Sequence, residues 1–142
     1  MSFVTAVIPV YNDVEALKNA IPKSLEALTA FGRPFELIIA EDESTDGTRE
    51  AALEWEKRDP RVKLLHSDKR QGRGRALNRA LSISKGDIFC YYDVDLATSL
   101  EHLPELLSRI EDGAAVATGS RLMKASDTAR SADREFASRS FN

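Results

Sequence analysis

The sequence has 142 residues, 42% of them hydrophobic, with a formal net charge of −3 and a single cysteine. That is the length of one ordinary domain with enough apolar residues for a core. The charge balance speaks against a nucleic-acid partner, and one cysteine excludes an intrachain disulfide framework and fits a reducing compartment. The N-terminal stretch MSFVTAVIPVYND lacks the basic start and apolar run of a signal peptide. No window reaches the ~18 apolar residues of a membrane span. The expectation is a soluble, cytoplasmic chain.

Strand and helix signals alternate. FVTAVIPV (3–10) is short, apolar and β-branched, as a buried strand is. From Asp13 to Ala30, Val14, Leu17, Ile21, Leu25 and Leu28 recur at helical spacing, with Pro22 expected to kink the helix or start its second half. FELIIAED (35–42) is a second strand. Asp46–Lys57 is a helix with Ser, Thr and Asp as candidate caps before it. RVKLLH (61–66) is a third strand, and QGRGRALNRALSIS (71–84) a glycine loop that continues as a helix. GDIFCYYD (86–93) is a fourth strand. Ser99 caps a helix with Leu100, Leu103, Leu107 and Ile110 on its apolar face. AAVATGS (114–120) is expected as a fifth strand and 130–141 as a last helix.

This order predicts an α/β fold, a mostly parallel Rossmann-like sheet with helices on both faces and right-handed crossovers. No linker divides the chain, so 1–142 is expected to be one domain. The closing SRSFN falls in a helix-like segment without a stop signal, so a C-terminally truncated domain is expected.

Ligands of open parallel sheets bind beyond the carboxyl ends of the strands. Those ends read PVYND, EDEST, DVD and GSR, which gathers polar and acidic groups on one edge. Asp93 and Asp95, two apart in an extended segment, would point to the same side. They offer hard oxygen ligands for Mg²⁺ or Mn²⁺, in a site completed by waters and substrate phosphates. A lone D-x-D is also common in acidic surface turns, and its place after a buried strand favours the metal reading. Asp42, between Glu41 and Glu43, is the strand-end carboxylate placed to meet a base or ribose, against the plainer reading of a loop acid. In DKRQGRGR (68–75), glycines before a helix let backbone N–H groups approach an anion, and Lys69, Arg70, Arg73 and Arg75 could neutralise phosphate. Gly72 and Arg73 are the candidates there, with a solvated basic face as the alternative. The turn after the first strand has no glycine, which disfavours a dinucleotide oxidoreductase. His66 and His102 have no ligand spacing, and Phe89, Tyr91 and Tyr92 read as core.

VIPVYND, LIIAEDESTDGT, QGRGRALNRAL, CYYDVDLAT and TGSR resemble, in order, the motifs of family 2 glycosyltransferases with the GT-A fold. Within that family the sequence looks most like the dolichyl- or polyprenyl-phosphate mannose or glucose synthases. The finer likeness rests on the arginine-rich segment after GSR, where Arg134 and Ser138 fit an R-x-x-x-S pattern. The resemblance implies an inverting, metal-dependent transfer of a hexose from GDP-mannose or UDP-glucose to a lipid phosphate. It places Pro9, Tyr11 and Asp13 at the nucleotide, Asp42 at the base, and Asp93 and Asp95 at the metal, Asp95 being also catalytic. Arg121 would assist the leaving group, and Arg134 and Ser138 would bind the acceptor phosphate. Two departures stand out. Ala97 occupies a position where some synthases carry a glutamine metal ligand, and EDES replaces the commoner DDGS. Chains of this kind continue into acceptor-site helices and often membrane segments, so membrane contact is expected through a region absent here. Two other readings stay open: a saccharide acceptor, and a nucleotide-binding domain without activity. A nucleotidyltransferase would want a glycine- and lysine-rich turn after the first strand, which PVYND lacks.

Overall fold

The computed structural model describes residues 1–119. Four strands, β1 (Val4–Val10), β2 (Phe35–Asp42), β3 (Val62–Ser67) and β4 (Ile88–Tyr91), form one sheet. Three long helices connect them: α1 (Val14–Phe31), α2 (Thr48–Arg58) and α3 (Arg73–Ile83). A 3-10 turn at Leu100–His102 leads into α4 (Leu103–Glu111). The strand order is β3-β2-β1-β4, and every pairing is parallel.

Strand alternation sorts the core onto two faces. Val4, Ala6, Ile8 and Val10 of β1 and Phe35, Leu37 and Ile39 of β2 pack with Leu17, Ile21 and Leu28 of α1, Ala52 of α2, and Leu103 and Leu107 of α4. Val7, Ile38 and Ala40 face the other way, onto Ala76 and Ala80 of α3. The helices that lead the chain from β1 to β2 and on to β3 therefore lie on one side. The helix that returns it to β4 lies on the other. This reversal makes the β1–β4 gap the topological switch point, the crevice where open α/β sheets bind ligands.

The expected order of elements is observed through α4, with three corrections. Pro22 does not start a second helix: α1 is one helix that contains it. Lys18, whose carbonyl loses the i→i+4 donor at Pro22, and Pro22 itself are both exposed, on the solvent side of the helix. β4 is shorter than expected and stops at Tyr91. No strand forms in 114–119, where Val116 is 82% exposed. Residue 120 and the expected helix at 130–141 lie outside the described residues. Among the described residues no helix is long and apolar enough to cross a membrane.

The end of β4 has a local cause. The N–H of Val4 bonds Pro34 on the β2 side, so alternation turns Thr5, Val7 and Pro9 toward β4. Val7 accepts the last β4-side bond, from Tyr92 N–H at 3.2 Å. Pro9 has no N–H with which to continue the ladder. The chain after Tyr92 is released from the sheet at Asp93.

Candidate functional site

Asp93 and Asp95 sit on a tight turn rather than on the extended segment expected, closed by Leu96 N–H on the Asp93 carbonyl at 3.0 Å. Leu96 takes a positive φ of 52°. Val94 and Leu96 pack against the core, which turns both aspartates outward to solvent. The alternation of apolar anchors and acids thus keeps the two carboxylates on the exposed side although the backbone is not a strand. One Asp95 oxygen accepts Ala97 N–H at 3.0 Å. Asp93 faces Arg73, whose Nη2 lies 2.9 Å from its Oδ1, and the Arg73 guanidinium stands 5.4 Å from the centre of the Tyr91 ring. Tyr91, expected in the core, is half exposed beneath that arginine.

Arg73 opens α3, directly after the glycine loop. Asp42, at the end of β2, holds this loop from below. Its carboxylate accepts Gln71 N–H at 3.1 and 3.0 Å and Gly72 N–H at 2.9 Å. Gly72 has φ 90°, a conformation that costs glycine little. Asp42 is buried, and the Arg79 Nη2 lies 3.9 Å from it. Asp42 therefore fixes the phosphate-loop candidates Gly72 and Arg73 in place. Of its neighbours, Glu43 is exposed and accepts Arg70 N–H at 2.8 Å. Glu41 is fully buried and bonds both Ser44 N–H and His66 Nδ1. That contact, more than a second one from Asp68, raises the His66 pKa above the usual histidine value.

The turn after β1 is locked to the turn after β2. Asn12, at φ 44°, donates its N–H to Ser44 Oγ at 2.9 Å and accepts Thr45 N–H on Oδ1 at 2.7 Å. Val14 N–H reaches Asp46 Oδ2 at 3.0 Å, and Asp13 N–H reaches Thr48 Oγ1 at 3.2 Å. Asp13 caps α1 through Ala16 N–H at 3.3 Å. Tyr11, exposed at the end of β1, carries the Arg70 guanidinium 3.8 Å from its ring centre. Pro9 lies half-buried in β1 below it. Sequence reading missed Asn12, Asp46 as a link between turns, and the Glu41–His66 pair. The run STDGT advertised caps, and Asp46 does accept Thr48 N–H at 3.0 Å, but the run also bonds Asn12, Asp13 and Val14, more than thirty residues away.

Pro9, Tyr11, Asp13, Asp42, Gly72, Arg73, Asp93 and Asp95 thus all lie in or directly after β1, β2, β4 and the α3 entrance. Arg121, Arg134 and Ser138 lie outside the described residues. A cavity of about 550 Å³ opens beside Asp93, between β4 and α4, lined among others by Phe89, Tyr91, Leu96 and Leu106. Among the described residues no group of three or more His, Cys, Asp or Glu side chains is arranged to hold a metal ion. The protein oxygens on offer are the outward pair of Asp93 and Asp95. A hard oxygen-only pair of this kind fits Mg²⁺ or Mn²⁺ that keeps water and phosphate oxygens for its other positions.

Comparison with known proteins agrees with this architecture. Residues 5–141 match the model of glycosyl transferase family 2. The chain is 40% identical over 142 residues to the glycosyltransferase AglD of Haloferax volcanii, covering 98% of this chain and 23% of that protein. It is 34% identical over 121 residues to the dolichol-phosphate mannosyltransferase of Pyrococcus furiosus, covering 85% of this chain and 34% of the relative. The chain thus spans about a quarter to a third of these relatives' length. Among solved structures, a mannosyltransferase from Pyrobaculum calidifontis in complex with GDP-Man and Mn²⁺ matches with a TM-score of 0.64 at 26% identity, over 79% of this chain and 33% of that one. The sheet, its helices and these likenesses identify the fold as GT-A, and the chain belongs to glycosyl transferase family 2.

Proposed function

We propose that this chain is the donor-binding part of an inverting hexosyltransferase that uses Mg²⁺ or Mn²⁺. It would move mannose or glucose from GDP-mannose or UDP-glucose to dolichyl or polyprenyl phosphate, at the cytoplasmic face of a membrane. The observation that carries the reading is the outward carboxylate pair Asp93 and Asp95 at the switch point, with Asp93 paired to Arg73 at the basic, glycine-led entrance of α3. The mannosyltransferase bound to GDP-Man and Mn²⁺ and the dolichol-phosphate mannosyltransferase support the donor and acceptor classes.

A divalent cation, which Asp93 and Asp95 would hold, would supply charge neutralisation for a diphosphate leaving group. The chain's own residues do the rest. Tyr11 and the turn at 12–13 border the nucleotide. Asp42 holds Gly72 and Arg73 toward the phosphates. Arg121 is assigned to the leaving group, and Arg134 and Ser138 to the acceptor phosphate. A lipid phosphate is ionised at neutral pH and needs no general base, only positioning. A sugar hydroxyl would need one.

The test is incubation of the chain with radiolabelled GDP-mannose or UDP-glucose, Mn²⁺, and either dolichyl phosphate or a soluble oligosaccharide. Label that moves into the organic phase only with dolichyl phosphate is the expected result. Label on the oligosaccharide would move the assignment to a saccharide acceptor. No transfer from either donor would overturn the transferase reading for this chain and leave a nucleotide-binding domain.

A further inference from the structure

The position of Arg73 suggests more than a passive phosphate contact. Its guanidinium is 2.9 Å from Asp93, and both side chains are about half exposed, at 54% and 53%. Among the described residues it is the one cation within ion-pair distance of Asp93. The same arginine is the first residue of α3, behind a loop whose backbone is tied to Asp42 through Gln71 and Gly72. Its backbone is therefore fixed, while its long side chain is free to swing through solvent. The Tyr91 ring beneath it gives the resting position a second weak contact.

A guanidinium and a divalent cation on one exposed carboxylate repel each other, so each weakens the binding of the other there. We propose that Arg73 is an exchangeable counter-ion: it rests on Asp93 when no cation is bound, and turns to the donor diphosphate when a divalent cation displaces it. This rests on the reading of Asp93 and Asp95 as the cation-holding pair. It adds that one side chain makes cation binding and diphosphate binding favour each other. Cation loading frees an arginine for phosphate, and phosphate draws that arginine off the cation's carboxylate. Such coupling is reciprocal by thermodynamic necessity.

The proposal makes predictions of opposite sign for one substitution. Arg73→Ala removes a competitor for Asp93, so Mn²⁺ alone binds more tightly. Exposed ion pairs are weak, so the gain is roughly two- to five-fold. The same variant loses a phosphate contact, so GDP or UDP in saturating Mn²⁺ binds more weakly, by about five-fold or more. Arg73→Lys, which keeps the charge and loses the planar fork, falls between. Mn²⁺ binding is read from the electron paramagnetic resonance signal of the free ion, nucleotide binding by calorimetry, and fold integrity by thermal melting. Equal Mn²⁺ affinity in parent and Arg73→Ala, including no binding by either, would overturn the exchange. Asp93→Ala is the control, and it should lose Mn²⁺ binding. If it keeps full Mn²⁺ affinity, the cation reading itself fails and the exchange falls with it.

Discussion

Replacing Asp42 by alanine should cost more stability than any exposed acid in this chain. The carboxylate is buried and accepts the N–H groups of Gln71 and Gly72 at 2.9–3.1 Å, with Arg79 at 3.9 Å. Hydrogen bonds to a charged group contribute about 1.5–3 kcal/mol each. Gln71 and Gly72 are exposed, so water replaces part of what their N–H groups lose, which argues for the lower end. Arg79 is less forgiving, since its Nε and Nη2 are buried without a hydrogen-bond partner among the described residues, and Asp42 is the acid beside them. Together these give a loss of about 2–4 kcal/mol. At about 3–5 °C per kcal/mol for a domain of this size, the midpoint should fall by roughly 6–20 °C. Asp42→Asn keeps one acceptor oxygen and should lose about half as much. Urea unfolding at pH 7 measures both. A cycle with Arg79→Leu should show a coupling of at least ~0.5 kcal/mol. If Asp42→Ala stays within about 0.5 kcal/mol of the parent, in the range of an ordinary surface change, the loop is not held from below as described.

Other substitutions probe separate parts of the molecule. Gly86→Ala would put a Cβ 2.5 Å from Thr5 N, 2.7 Å from its Oγ1 and 2.8 Å from the Ile88 carbonyl, mostly unyielding backbone. Overpacking of this kind costs about 1–3 kcal/mol or more, and an unchanged melting temperature would refute that contact. The raised pKa of His66, due first to Glu41, makes its pairing stabilising below the unfolded value of about 6.5 and lost as pH rises through the folded value. The stability gap between parent and His66→Gln should therefore be widest near pH 6 and shrink toward pH 9, and a gap that widens over that range would contradict the pairing. Burial pushes the Cys90 thiol up to about 12. Its alkylation by iodoacetamide at pH 8 should be roughly 10³-fold slower in the folded than in the unfolded chain, and equal rates would show the thiol is open.

The strands were legible because buried parallel strands are short apolar runs between turn residues, and FELIIAED is buried at all eight positions. α1 was legible from its 3.6-residue period, but not that it continues as a single helix past Pro22. That depends on which side of the helix meets solvent, and local sequence cannot say. AAVATGS misled because its composition is that of a strand, whereas strand formation needs a partner edge, and 114–119 pair with none among the described residues. The acids of the site were legible from their place at the carboxyl ends of apolar runs. Their surroundings were not, because Asn12 with Ser44 and Asp13 with Thr48 are contacts between distant turns, and Glu41 with His66 is a cross-strand pair of β2 and β3, all created by the sheet order. Asp42 stands out in the sequence as a strand-end acid. That its partners are the amides of Gln71 and Gly72 required knowing that β3 and α3 bring that loop back over β2.

The central claim is that Asp93 and Asp95 bind a nucleotide diphosphate through a divalent cation. Calorimetry of GDP and UDP against the chain, with and without Mn²⁺, tests it most directly when repeated on Asp95→Ala. Asp95 is exposed, and its side chain bonds only Ala97 N–H among the described residues, so the substitution should leave the fold intact. Mn²⁺-dependent binding of at least one of the two nucleotides, lost in Asp95→Ala at an unchanged melting temperature, is the expected result. Nucleotide binding of equal affinity with or without Mn²⁺, or unchanged in the variant, would contradict it.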